Sequence, residues 1–235
     1  MGVIYLLKQM IIISDGQSNV GPDPVKVAEL AVENDIRVNT IGIINNRHSR
    51  IPIIELENIA EKGGGICELT DLENLSNALS KVTVKSVYQT IEEVVNNELK
   101  GIMNGDLKDI NPLERNKIIT MIDKIGDEVP LKCLILLDTS GSMKNKIDIG
   151  RKSILELLMF LEERSGENQI GVMIFPSTTG NYELLCDFTK DIDELREKIQ
   201  RIEVGGITPT GYAMEEAIKI LTSHYEDYII SEITV

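Results

Sequence analysis

Along most of this chain, short unbroken apolar runs alternate with stretches whose apolar residues recur every three or four positions. The runs suit strands buried on both faces, and the periodic stretches suit helices packed against them. Their alternation predicts an α/β protein, a doubly wound and mainly parallel sheet flanked by helices. Residues 10–14 read as the first strand. After a turn-rich stretch, Asp23 and Pro24 supply an N-cap and a first helical residue, and Val25, Ala28, Leu30 and Ala31 form a core-facing stripe. Asn34 and Asp35 close that helix, residues 36–43 form the next strand, and Pro52 opens a helix to about Glu61. Gly63, Gly64 and Gly65 stop it. Residues 66–69 are strand-like, and the T-x-x-E pair Thr70 and Glu73 caps a helix running to about Lys81.

The alternation resumes at residue 131, with a strand over 133–137, a helix from 147 to about 163 and a strand over 169–175. Residues 183–188 form a strand antiparallel to its predecessor, because only a short turn-like loop joins them. Helices over 191–201 and 211–223 follow, and residues 228–235 read as a further strand. Residues 83–130 have a different texture. Val84, Val87, Tyr88, Ile91 and Val94 fall at helical spacing, and Asn111 with Pro112 starts a second amphipathic helix that Gly126 ends. The stretch holds no strand candidate and predicts a helical insertion packed on the rest of the fold.

Charge and composition narrow the function. With 38 acidic against 24 basic residues the formal net charge is −14, which repels a phosphate backbone and an anionic membrane surface. The longest apolar runs are five residues, against the ~20 needed to span a bilayer. The apolar N-terminal stretch has no basic lead or small-residue cleavage site, and Lys8 and Gln9 interrupt it, so it reads as buried fold. Cys67, Cys133 and Cys186 sit in or beside apolar runs and read as buried thiols of a reducing, cytoplasmic compartment. His48 and His224, both in polar surroundings, offer little for a zinc site or histidine catalysis.

Two of the predicted strands end in an aspartate followed by small polar residues: CLILLDTSGSM, ending at Asp138, and MIIISDGQSN, ending at Asp15. Ligands of open parallel sheets bind beyond the carboxyl ends of the strands, where strand order reverses. If these strands are neighbours there, both carboxylates face one crevice and need a proton or a cation between them. Ser140 and Ser142 lie next to Asp138, and Thr208 in GGITPTG adds a third hydroxyl. Two carboxylates and three hydroxyls suit a hard divalent ion, Mg²⁺ foremost, with Mn²⁺ and Ca²⁺ as further candidates. Singly, each element has a plainer reading: a capping turn at Ser140 and Ser142, a turn at Asp15, a loop residue at Thr208. Their joint occurrence favours the metal. Met143 reads as packing.

These residues resemble the von Willebrand factor type A domains. Asp138, Ser140 and Ser142 form the D-x-S-x-S motif of that family's metal-ion-dependent adhesion site. Thr208 matches its threonine loop, and Asp15 matches its later strand-end aspartate. The resemblance implies a Rossmann-like, non-enzymatic domain that binds a protein partner. It further implies that Ser140, Ser142 and Thr208 coordinate directly while Asp138 and Asp15 act largely through water. One coordination position is left for a partner's carboxylate. Given the net charge, the partner is expected to present that carboxylate within an otherwise neutral or basic surface.

The order of the elements departs from the family, in which D-x-S-x-S comes first and the S-D-G strand last. Circular permutation of a single, monomeric domain accounts for it: residues 1–82 as the C-terminal half, 83–130 as a helical linker joining the old termini, and 131–235 as the N-terminal half. The alternative is two partial domains completed by strand or domain swapping between chains. Glu232, in a C-terminal stretch resembling the Asp15 strand, reads as part of an extra edge strand or swapped tail. A rival from another class is a Mg²⁺-dependent phosphoryl-transfer enzyme of the haloacid dehalogenase type. Those enzymes use D-x-D, and Ser140 stands in place of the second acid. A serine hydrolase lacks its G-x-S-x-G elbow. In a third reading the helical insertion does the binding and the metal only stabilises the fold.

Overall fold

The structure, a computed structural model, describes residues 6–44, 50–103, 107 and 110–223. The expected strand over 228–235 with Glu232, and both histidines, lie outside the described residues. In chain order the elements are β1 (Leu7–Ser14), α1 (Pro24–Val32), β2 (Ile36–Ile43), α2 (Arg50–Lys62), β3 (Gly64–Thr70), α3 (Leu75–Met103) and α4 (Pro112–Glu128). There follow β4 (Leu131–Asp138), a 3₁₀ turn (Gly141–Met143), α5 (Ile147–Leu161), β5 (Asn168–Phe175), β6 (Glu183–Thr189), α6 (Ile192–Ile199) and α7 (Thr210–Ser223).

The strands form one six-stranded sheet in the order β3-β2-β1-β4-β5-β6, parallel throughout except for the antiparallel edge strand β6. Strands β1 and β4, far apart in sequence, are hydrogen-bonded neighbours at its centre, with Ile13 beside Leu137. Both faces are covered, so alternate residues of one strand enter different cores. Ile11 and Ile13 pack with Cys133, Ile135 and Leu137 against α3, α5 and α6, while Met10 and Ile12 pack with Leu134 and Leu136 against α1, α2 and α7. This is the doubly wound α/β architecture that the alternating pattern predicts.

Several local expectations need correction. Leu30 is 48% exposed and Val27 takes its place in the buried stripe of α1, because the helix turns Val27, Ala28 and Ala31 onto the sheet. Gly64 and Gly65 do not merely stop α2; they begin β3. Gly65 lies so close to the Val38 backbone that a Cβ would overlap its carbonyl oxygen. No capping box joins Thr70 to Glu73: the Thr70 hydroxyl bonds the Asp71 carbonyl, and the Asp71 carboxylate accepts from the Asn74 amide. The helix that follows does not stop near Lys81. It runs unbroken to Met103, because Val82, Val87 and Ile91 keep one face in the core, while Thr83 and Thr90 satisfy their hydroxyls on the carbonyls of Leu79 and Ser86.

The first half of α3 is also held to the sheet by buried polar contacts through Thr83 and Ser86. Gln9 donates to the Thr83 carbonyl at 3.2 Å, Asn39 donates to Ser86 at 3.1 Å, and the Ile66 amide donates to Asn39 at 2.9 Å. Asn111 caps α4 as expected, accepting from the amides of Leu113 and Glu114. Gly126 lies inside α4 rather than ending it: a Cβ there would come within 2.5 Å of the Tyr88 ring, so the glycine lets α4 pack closely on α3. Arg164 then fastens the end of α4 by donating to the carbonyls of Gly126 and Val129.

Candidate metal centre

The chain moves outward from β1 to β2 and β3 on one side, and from β4 to β5 and β6 on the other. Strand order therefore reverses between β1 and β4, and the crevice beyond their carboxyl ends is the natural ligand position of such a sheet. The register Ile13↔Leu137 sets Ser14 opposite Asp138 and leaves Asp15 one step further out. Asp138 is fully buried. One of its carboxylate oxygens accepts from the Ser14 hydroxyl, and the other accepts from the Ser140 amide at 2.8 Å.

The D-T-S-G-S-M turn carries Ser140 and Ser142 over this crevice. Their hydroxyl oxygens lie 3.2 Å apart, and Ser142 donates to Asp15 at 2.6 Å. Ser140 and Asp15 are buried, whereas Ser142 is exposed, so the cluster opens to solvent at Ser142. Met143, directly after, is fully buried as packing.

Thr208 reaches the same place through its backbone. Its amide donates to the Asn19 side chain at 2.9 Å, its carbonyl accepts from the Asn19 amide at 3.1 Å, and the Gly205 amide donates to the Thr139 carbonyl at 2.8 Å. The threonine loop is thus tied both to the segment after Asp15 and to the residue between Asp138 and Ser140. Among the described residues, no hydrogen bond joins the Thr208 hydroxyl to the other four groups. The structure therefore brings Asp15, Asp138, Ser140 and Ser142 into one hydrogen-bonded cluster, with Thr208 held beside it.

Sequence reasoning missed three participants. Ser14 reads as the last residue of a strand, and only its register opposite Asp138 reveals it. Glu55 on α2 accepts from the Ser18 amide at 2.7 Å and fixes the loop after Asp15; burial raises its carboxyl pKa, and the Ser18 amide pulls it back. Lys146 is buried and its ammonium forms an ion pair with the second oxygen of Asp15. Nothing in MKNKID separates it from the exposed Lys144 except that it stands four residues after Ser142. Burial pushes the Asp138 carboxyl above its usual range, against the pull of Ser14 and Ser140, and pushes the Lys146 ammonium below its own.

Residues 133–230 match the von Willebrand factor type A domain, and 214 residues are 36% identical to the uncharacterized protein YabS of Bacillus subtilis (strain 168), covering 90% of this chain and 87% of that one. The chain belongs to the von Willebrand factor type A family. The crystal structure of an uncharacterized protein from Alicyclobacillus acidocaldarius is also similar, with a TM-score of 0.85 and 33% identity over 93% of this chain and 95% of that one. Within this von Willebrand factor type A chain, Asp138, Ser140, Ser142 and Thr208 lie inside the matched stretch, whereas Asp15 lies outside it. The donors at the site are hydroxyls and two carboxylates, and no group of three or more His, Cys, Asp or Glu side chains suited to a metal occurs among the described residues. A buried cation already stands on Asp15. By donor chemistry the residues fit a hard divalent ion, since they present clustered oxygens open to solvent on one side, while Lys146 balances the charge of Asp15.

Among the described residues, no helix of this von Willebrand factor type A chain is long and apolar enough to cross a membrane.

Proposed function

We propose that the chain is a non-enzymatic, metal-dependent protein-binding module that captures an acidic side chain of a protein partner. Ser140, Ser142 and Thr208 would hold a divalent cation directly, and Asp138 and Asp15 would hold it largely through water. Mg²⁺ is the first candidate, with Mn²⁺ or Ca²⁺ as substitutes. The bound cation would supply a hard Lewis-acidic position for the partner's carboxylate. The chain's own residues do the rest. Ser14 and the Ser140 amide hold Asp138 in place, Asn19 holds Thr208 beside it, and Glu55 on α2 fixes the Asn19 loop through the Ser18 amide.

We also read the chain as a circularly permuted, monomeric domain, with residues 1–82 as the later half of the family's order, 131–235 as the earlier half, and 83–130 joining them. The observation that carries both readings is the hydrogen bond from Ser142 to Asp15, which unites the two halves at their shared crevice. The free thiols suit a cytoplasmic setting.

Thermal melting with and without Mg²⁺ or Mn²⁺ tests the metal reading. Wild type is expected to melt several degrees higher at saturating ion, by mass action on the folded state, and Asp138→Ala to lose the response. An identical response in the two proteins removes the metal site. Hydrolysis of an aryl phosphate that is lost in Asp138→Asn would favour the phosphoryl-transfer rival instead.

A further inference from the structure

We propose that Lys146 is the site's own counter-cation: its ammonium stands on Asp15 when no divalent ion is bound and gives way when one binds, so that Lys146 sets the metal affinity. The inference rests on the metal reading above. The two carboxylates are compensated differently. Asp138 is satisfied by neutral donors, the Ser14 hydroxyl and the Ser140 amide. Asp15 accepts the Ser142 hydroxyl on one oxygen and the Lys146 ammonium on the other. The pair is buried, with the two side chains 7% and 1% exposed. An ionised carboxylate so far from water needs a compensating charge, and Lys146 supplies it.

The lysine is delivered by fixed backbone. Its amide donates to the Met143 carbonyl at 2.8 Å, its carbonyl accepts from the Gly150 amide at 3.0 Å, and α5 begins at the next residue. Only the four-carbon stem is free to carry the ammonium away. A divalent ion held by Ser140 and Ser142, and by Asp15 through water, would lie close to that ammonium. Two cations at such a distance repel strongly where water is scarce. Metal entry is therefore an exchange of one cation for another, and its affinity is lowered by the lysine it displaces. In the absence of metal, the same lysine keeps the two halves of the crevice together.

Two measurements on the full chain test this. The first is metal affinity, read by titration calorimetry with Mn²⁺ and with Mg²⁺. Lys146→Met is expected to bind at least tenfold more tightly than wild type, and Lys146→Arg, which keeps the charge, to stay near wild type. Lys146→Gln serves should the methionine variant fold poorly by circular dichroism. The second is a melting cycle in chelator with Lys146→Met, Asp15→Asn and the double variant. Lys146→Met is expected to melt lower than wild type, and the double variant to lose much less than the two single losses combined. Equal or weaker metal binding by folded Lys146→Met, or additive melting losses, overturns the proposal while leaving the metal reading standing. Metal binding by Lys146→Met alone supports it in its strongest form. Binding by none of the proteins overturns the exchange together with the metal reading.

Discussion

The Ser142 hydroxyl donates to the Asp15 carboxylate at 2.6 Å across 127 residues of sequence. It joins the turn after β4 to the end of β1, the two strands that meet where the sheet's order reverses. Ser142→Ala should therefore weaken metal binding by at least tenfold. Its side chain is exposed, so the stability loss in chelator should be no more than ~1 kcal/mol. Calorimetric titration with Mn²⁺ beside a urea melt separates the two effects. A large stability loss with unchanged affinity would mean that the contact is structural only.

Gly211, in the first turn of α7, packs so tightly on the loop after Asp15 that a Cβ would overlap the Pro22 carbonyl oxygen. Backbone cannot yield as a side-chain tip can. Gly211→Ala should push the Thr208 loop away from that segment and cost about 1–3 kcal/mol. It should also lower metal affinity, although residue 211 touches no proposed ligand. Denaturant melts and Mn²⁺ titration of the same variant report both; wild-type affinity would show that the interlocking of the two loops does not shape the site.

Much of the architecture is legible because β1, β4 and β5 each hold a run of consecutive apolar residues buried on both faces, and because Asp35 and Ile44 bracket a strand-length stretch between two helical patterns. Residues 36–43 match β2 from end to end. Where a glycine or a stretch of polar residues reads as an end, the structure often supplies a reason for the element to continue. The helix expected to end near Lys81 and the helical spacing from Val84 to Val94 read as two elements, and only the structure shows that they are one continuous α3. Gly126 looks like a stop until the Tyr88 ring is placed beside it. At the site, Asp15, Asp138, Ser140, Ser142 and Thr208 are visible because their residue types match a motif. Lys146 and Ser14 are not, since a lysine in a polar turn and a serine at a strand end acquire meaning only from the partner that the register supplies.

The close approach of α4 to α3 gives a separate test. Gly126→Ala should destabilise the protein by about 1–3 kcal/mol through its contact with the Tyr88 ring. The same substitution in a Tyr88→Ala background should cost less, since the obstructing ring is gone. A urea-melt cycle checks this, and equal costs in the two backgrounds would place the strain elsewhere.

The cysteines should differ in reactivity. Burial pushes the Cys133 thiol up to about 12 and the Cys186 thiol up to about 11, and both side chains are almost wholly shielded. Both thiols therefore hold little of the reactive thiolate at pH 8. Cys67, half-buried with its thiol raised by burial, is the more accessible of the three. A disulfide reagent at pH 8 should label at most Cys67 in the native protein and all three thiols in denaturant. Rapid native labelling of Cys133 would show that β4 is not held as described.

The central claim is that Asp15 and the D-x-S-x-S turn form one metal site within the chain. The most direct measurement is an anomalous difference map from crystals of the full chain equilibrated with Mn²⁺. The account predicts a single strong peak in coordination range of the Ser140 and Ser142 hydroxyls, between Asp15 and Asp138 of the same chain, and its absence in Asp15→Ala. A saturating Mn²⁺ soak with no peak there, or a peak completed by Asp15 of another copy, would contradict it.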